Sequence, residues 1–217
     1  MALRLFRGVV SLSLILGCAL ALPEAHVRAG SLKTPDLALP ALNTFATLVM
    51  NGEADQLRGV YAPRLFADRV VQQPDGDPGF VSPRQNVLTQ FSRASQMGST
   101  GLLAHNTLAG AQFTLLHKGQ VVFLVYGDGR KAAYVVTQKL RYQALQPESA
   151  YSDFANLQNG DRVGASELFS RIYGRSGGIV MQTCIEADGM STWGRLFVIA
   201  QRYSGQRLSR QTCSACR

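Results

Sequence analysis

The chain is poor in most features by which a sequence announces its chemistry. Only 17% of its 217 residues are charged, and no long run of lysine or arginine interrupts it. No recognition helix and no RNP-like aromatic motif is present, which sets nucleic acid aside as a partner. The net charge of +8, from 22 Lys+Arg against 14 Asp+Glu, suits a surface that faces an anionic envelope polymer. Internal repeats are absent. Cys213 and Cys216 form one C-x-x-C pair. With no second pair, the four ligands of a structural zinc site are not at hand. With no thioredoxin-like context around it, a redox role is also set aside. The pair is left as a small disulfide of an exported protein, or as tail thiols without function. Histidine is scarce: His26, His105 and His117 are the whole supply. No apolar run reaches the roughly 20 residues of a membrane-spanning helix.

What is present begins at the N-terminus. Arg4 and Arg7 precede an apolar run from Val9 to Leu22, and Ala19-Leu20-Ala21 and Val27-Arg28-Ala29 offer small-residue cleavage sites. This is the layout of a secretory signal peptide over residues 1–29, with an uncleaved anchor as the alternative. Cys18 reads as a residue of the hydrophobic region, and lipidation after Ile15-Leu16-Gly17 is the other reading. Either way the protein is expected outside the cytoplasm, extracellular or on the cell envelope. Residues 30–56 read as a linker and a short helix, Ala41 to Met50, stopped by Asn51-Gly52.

A hydrophobic content of 46% supports a packed core over residues 57–203. Leu57 to Tyr61 and Leu65 to Gln72 read as strands about a turn at Pro63. Gln73 to Gly79 is a loop by composition. Ser82 as N-cap and Pro83 at the first helical position predict a helix through Arg93, with Val87, Leu88 and Phe91 on one face. Gly101 to His105, Phe113 to His117 and Gln120 to Tyr126 read as strands. Gly127-Asp128-Gly129 is a hairpin turn, and the return strand from Ala132 to about Ala144 places Leu140, Tyr142 and Ala144 on one face. Residues 146–177 break the strand rhythm, with a helix from Ser166 to Tyr173. Connections of that length inside a β domain are usually functional. Many short strands with few helices predict a mainly β fold, a single antiparallel β-barrel or sandwich. Residues 204–217 form a polar tail.

The chemistry is concentrated between Gly178 and Ala200. Ile179 to Cys184 and Leu196 to Ala200 are two apolar runs around Glu186-Ala187-Asp188-Gly189 and Gly194. If the strands pair antiparallel, Cys184 at the end of the first lies beside Arg195 at the start of the second. A guanidinium there can lower a thiol pKa or hold a developing oxyanion. A nucleophilic thiol also needs a base or ion-pair partner. His105, at the end of its own apolar run, is the candidate. His117 sits in a Lys118-Gly119 turn, and His26 lies beside the cleavage site. A packing thiol and a structural histidine are the competing readings.

Thr183-Cys184 at a strand end, Arg195 opening the next strand and the upstream Leu103-Ala104-His105-Asn106 together resemble the sortases, cysteine transpeptidases that attach proteins to the cell surface. The resemblance runs from about Leu57 to Tyr203 and keeps the family's order of His, Cys and Arg. The family often writes T-L-x-T-C; here only Thr183 and Cys184 match, after Val180-Met181-Gln182. The resemblance implies a sortase-type β-barrel, with Cys184, His105 and Arg195 catalytic. Asn106 and Thr183 are the candidate substrate-binding residues. A peptide sorting signal of exported proteins and an amine acceptor at the envelope would be the partners, and the connector over residues 146–177 would wall the substrate groove. No cofactor and no metal is required; some relatives use calcium, but no acidic cluster argues for it. The alternatives are a secreted, non-catalytic β-barrel that binds peptide or envelope polymer, and a thiol hydrolase without transfer.

Overall fold

The computed structural model describes residues 39–149, 151–174 and 177–203. The expected export segment with Cys18 and His26, most of the expected linker, and the tail with Cys213 and Cys216 lie outside the described residues. Among the described residues no helix is long and apolar enough to cross a membrane.

In chain order the elements are α1 (Leu42–Val49), β1 (Leu57–Ala62), β2 (Phe66–Gln72), β3 (Val87–Phe91), α2 (Ser92–Gln96), β4 (Thr100–Leu103), a 3-10 segment (Ala109–Leu115), β5 (Val121–Tyr126), β6 (Lys131–Ala144), β7 (Phe154–Asn156), β8 (Arg162–Val163), α3 (Ala165–Tyr173), β9 (Ile179–Ala187) and β10 (Met190–Arg202). The strands are ordered β10-β9-β4-β3-β2-β1-β5-β6, and β6 pairs back onto β10, which closes an eight-stranded barrel. β7 and β8 extend from β6 outside the closed ring. Pairing is antiparallel except at two joints, β2 with β3 and β4 with β9.

Alternation along the strands makes two apolar layers. Val60, Phe66, Val70, Leu102, Ala104, Met181, Leu196 and Val198 fill the barrel interior. Tyr142, Ala144, Phe154, Val180, Phe197 and Ile199 face outward and are covered by Leu168, Ile172 and Tyr173 of α3. A third cluster seats Phe45, Ala46 and Val49 of α1 on Tyr61 and Val125.

Several expectations are corrected. The helix expected over Ser82 to Arg93 is β3 followed by the short α2. Val87, Leu88 and Phe91 are compatible with a helical face, but Asn86 has a positive φ of 55°, which stops a helix there. Ser82 caps no helix; its backbone N–H donates to Thr89 Oγ1 at 2.8 Å, pinning the loop to the strand. The strand expected over Phe113 to His117 is instead the end of the 3-10 segment. Phe113 and Leu116, both fully buried, stand three residues apart, a spacing that suits three residues per turn. β7 and β8 were hidden in the connector because each is too short to show a period.

The last hairpin is longer at both strands than the sequence indicates. Asp188 and Gly189 both take positive φ, 52° and 74°, as a two-residue type I′ turn requires. The turn residues are therefore only these two, and β9 runs on past Cys184 to Ala187 while β10 opens at Met190.

Candidate active site

Cys184 lies on β9 directly opposite Arg195 of β10. The sequence places Cys184 at the end of one strand and Arg195 at the start of the next; both instead stand within their strands, but the pairing itself is the one expected. On its other side β9 runs parallel to β4, with Leu102 beside Met181 and Leu103 beside Gln182. Carried on by two residues, that register would bring Ala104 level with Thr183 and His105 level with Cys184, although the backbone ladder ends at Leu103. Two bonds tie Ala104 to β9. The Ala104 N–H donates to the Gln182 carbonyl at 3.3 Å. The Thr183 hydroxyl, buried in the barrel, donates to the Ala104 carbonyl at 2.9 Å. β4 itself stops at Leu103, so His105 stands just beyond the strand end.

All three side chains belong to the outward face. Ala104 and Leu196 are in the interior layer and Thr183 is buried beneath β9, so their neighbours in sequence, His105, Cys184 and Arg195, fall to the outside. Adjacent strands are about 4.8 Å apart, so Cys184 and Arg195, paired across β9 and β10, are neighbours. His105 is exposed, and Cys184 and Arg195 are half-buried. Among the described residues no hydrogen bond joins thiol, imidazole and guanidinium to one another. Such bonds commonly tighten only with substrate in place.

Arg195 is held from its own strand. Its Nη1 donates to the carbonyls of Thr192 and Gly194, each at 2.9 Å. Between Met190 and Gly194 the register of β9 with β10 shifts, so Ser191, Thr192 and Trp193 bulge opposite Glu186. A bulge of this kind re-aims the side chains beside it. Two contacts fasten it. Asn106 Nδ2 donates to the Ser191 carbonyl at 3.3 Å, and Thr192 Oγ1 donates to Glu148 Oε1 at 2.9 Å. The first links the loop of His105 to the strand of Arg195. The second brings in the connector through Glu148.

The row continues past Arg195 to Tyr142 of β6 and Asn156 of β7. Tyr142 is buried and meets Phe197 edge-on, with ring centroids 6.0 Å apart. Two residues down β9 from Cys184, Gln182 also faces outward, and its Oε1 accepts from the Tyr173 hydroxyl at 2.6 Å. Tyr173 is the last residue of α3, so the connector reaches the row next to the thiol. Burial pushes the Tyr173 phenol far up, which keeps it a donor at any ordinary pH.

Gly110 was not legible as a site residue. A Cβ there would meet Thr183 Oγ1 and the carbonyls of His105 at 2.6 Å and Ala104 at 2.8 Å. The Gly110 N–H donates to the His105 carbonyl at 3.0 Å. In sequence, Ala109-Gly110-Ala111 looks like loop filler; only the fold shows that the position has no room. Tyr142 carried a partial signal, because the alternation of β6 gave its face but not its partner strand. His117 lies away from the row, beside the turn where its backbone N–H donates to Gln120 Oε1.

No family model and no curated protein matches the sequence. Among solved structures the chain is similar to sortases. A lid mutant of sortase C1 from Streptococcus agalactiae is 17% identical, with a TM-score of 0.44 and 73% of each chain covered. Sortase A from Listeria monocytogenes is 14% identical, with a TM-score of 0.42, covering 69% of this chain and 89% of that one. Sortase C-1 from Actinomyces oris is 15% identical, with a TM-score of 0.44, covering 76% and 82%.

Proposed function

We propose that the protein is a sortase-like cysteine transpeptidase acting outside the cytoplasmic membrane. The observation that supports the reading is the pairing of Cys184 with Arg195 across β9 and β10, with His105 two residues past the end of β4, the strand that flanks β9 on its other side. An imidazole and a guanidinium on either side of a half-buried thiol are the groups that thiol acyl transfer needs.

In this reading Cys184 Sγ attacks a backbone carbonyl of a sorting-type peptide. The carbonyl oxygen takes up negative charge beside Arg195, whose Nη1 bonds hold the guanidinium in place. The tetrahedral intermediate collapses to a thioester, and His105 protonates the departing amine. An acceptor amine then attacks the thioester, His105 takes its proton, and Cys184 leaves as thiolate. Water in place of the amine gives hydrolysis. Asn106, which ties the loop of His105 to Ser191, would contact the substrate, while Thr183 acts from beneath through the Ala104 carbonyl.

The test is chemical. The folded protein is treated with a small thiol alkylator across pH and adducts are mapped by peptide mass. Cys184 is expected to react in the folded state, with a rate profile that His105→Ala changes. A sorting-type peptide library should leave a thioester on Cys184 that hydroxylamine releases. A Cys184 that reacts only after unfolding is a packing residue, and the non-catalytic binding module then replaces the enzyme.

A further inference from the structure

Asp68 is a carboxylate in the wrong layer. It lies on β2 between Phe66 and Val70, which both belong to the barrel interior, and it is 1% exposed. Directly across β1 it faces Val60. The bond the structure shows for it comes from Gln112, whose Nε2 donates to Asp68 Oδ2 at 3.3 Å. Burying a carboxylate without a cation costs stability, and buried polar groups of this kind in some proteins fix one arrangement instead.

What Asp68 holds is the 3-10 segment that leads on from His105. The segment places Ala109 and Phe113 in the barrel core, with Leu116 just beyond it. Phe113 packs on Phe66, with ring centroids 6.3 Å apart. At its far end Lys139 Nζ donates to the carbonyls of Thr114 at 2.5 Å and Leu116 at 3.3 Å. At its near end the N–H groups of Leu108 and Gly110 both donate to the His105 carbonyl at 3.0 Å. Gln112 is one 3-10 turn after Ala109. The segment is thus fastened at both ends and in the middle, and its near end grips the backbone of His105.

We propose that Asp68 and Gln112 are positioning residues for His105: the carboxylate holds Gln112, and Gln112 holds the segment that sets the imidazole beside Cys184. This rests on the reading of His105 as partner of Cys184. Its test reads position directly, independent of turnover. In a His105→Cys variant of the full chain, the introduced thiol stands just past the end of β4, the strand that runs parallel to the β9 of Cys184. Mild oxidation should join the two, with the cross-link identified by peptide mass. Adding Gln112→Leu, or separately Asp68→Leu, should slow that cross-link roughly fivefold or more, the scale of one net hydrogen bond. Asp68→Asn keeps an amide oxygen to accept from Gln112 and should retain the parent rate. Thermal unfolding of each variant confirms that the rates are those of folded protein.

Cross-linking as fast with Gln112→Leu as without it overturns the proposal, as does an Asp68→Asn variant that slows as much as Asp68→Leu. Absence of any 105–184 cross-link overturns it too, since the two positions would not be neighbours. Failure of the enzyme reading looks different: no thioester forms on the unaltered protein, whatever the cross-linking rates.

Discussion

Cys184 has its neighbours because two strands are paired to β9 in opposite senses, and each pairing contributes one functional group. The guanidinium comes from the antiparallel side. Lysine at position 195 would keep a positive charge near the thiol but lose the planar fork of donors. Arg195→Lys is expected to lower thioester formation by roughly 10²-fold or more, the scale seen when an oxyanion donor is lost. The thermal midpoint should hardly move. Full activity in the lysine variant would show that Arg195 supplies only a general field. Asp68 gives a prediction about stability. Burial raises its pKa from 3.8 to about 6, with the Gln112 bond opposing that rise. The folded state therefore holds its proton more tightly than the unfolded chain does. Its stability is full below about pH 4 and is lost as pH rises through about 6. The difference between the two pKa values corresponds to roughly 3 kcal/mol. Asp68→Asn should flatten the dependence of unfolding temperature on pH between about 4 and 7, and should unfold at the higher temperature at pH 7. Parallel pH curves for the two proteins would mean that Asp68 does not ionise on unfolding.

Elements decide how the loop after His105 is held. Gly110→Ala would push a methyl group against Thr183 Oγ1 and two carbonyls at once. Backbone cannot step aside as a flexible side chain can, so a loss of about 1–3 kcal/mol is expected by chemical denaturation, with slower alkylation of Cys184. Unchanged stability would place the loop elsewhere in solution. The same loop shows where sequence reasoning ends. The β9–β10 pairing could be read from two apolar runs and a turn, because antiparallel neighbours in sequence need only direction to be aligned. The face of β6 could be read from its alternation. The parallel joint of β4 with β9 could not, since nothing in Gly101 to His105 names a partner some 79 residues on. The helix expected at Ser82 failed for a related reason: apolar spacing at Val87, Leu88 and Phe91 fits two periods, and the empty place between β2 and β4 in the sheet decided the outcome. His105 is singled out because it ends its own apolar run and then because that run resembles a family pattern, whereas Gly110, Gln112 and Asp68 have no such pattern.

At the scale of the molecule, one strand does the closing. β6 pairs with β5 in its first half and β7 in its second, and along its other edge it carries β10 from Tyr134 to Gln143. The barrel is shut only when this seam and the parallel joint have both formed. Contacts between such distant parts of a chain are slow to make, because the entropy of closing long loops is lost before the contacts return it. The row of His105, Cys184 and Arg195 is therefore expected to assemble in order: Arg195 should meet Cys184 early, within a local hairpin, and His105 should arrive late. A chain refolding from denaturant should pass through a period in which the thiol is already flanked by its guanidinium but not yet by its imidazole. Pulsed alkylation during refolding would show this as two successive changes in the reactivity of Cys184; a single change, coincident with the fluorescence of Trp193 in the neighbouring bulge, would mean that the row assembles at once. With two steps, an unfinished molecule carries an unpartnered thiol, and nucleophilic competence becomes a record of completed folding.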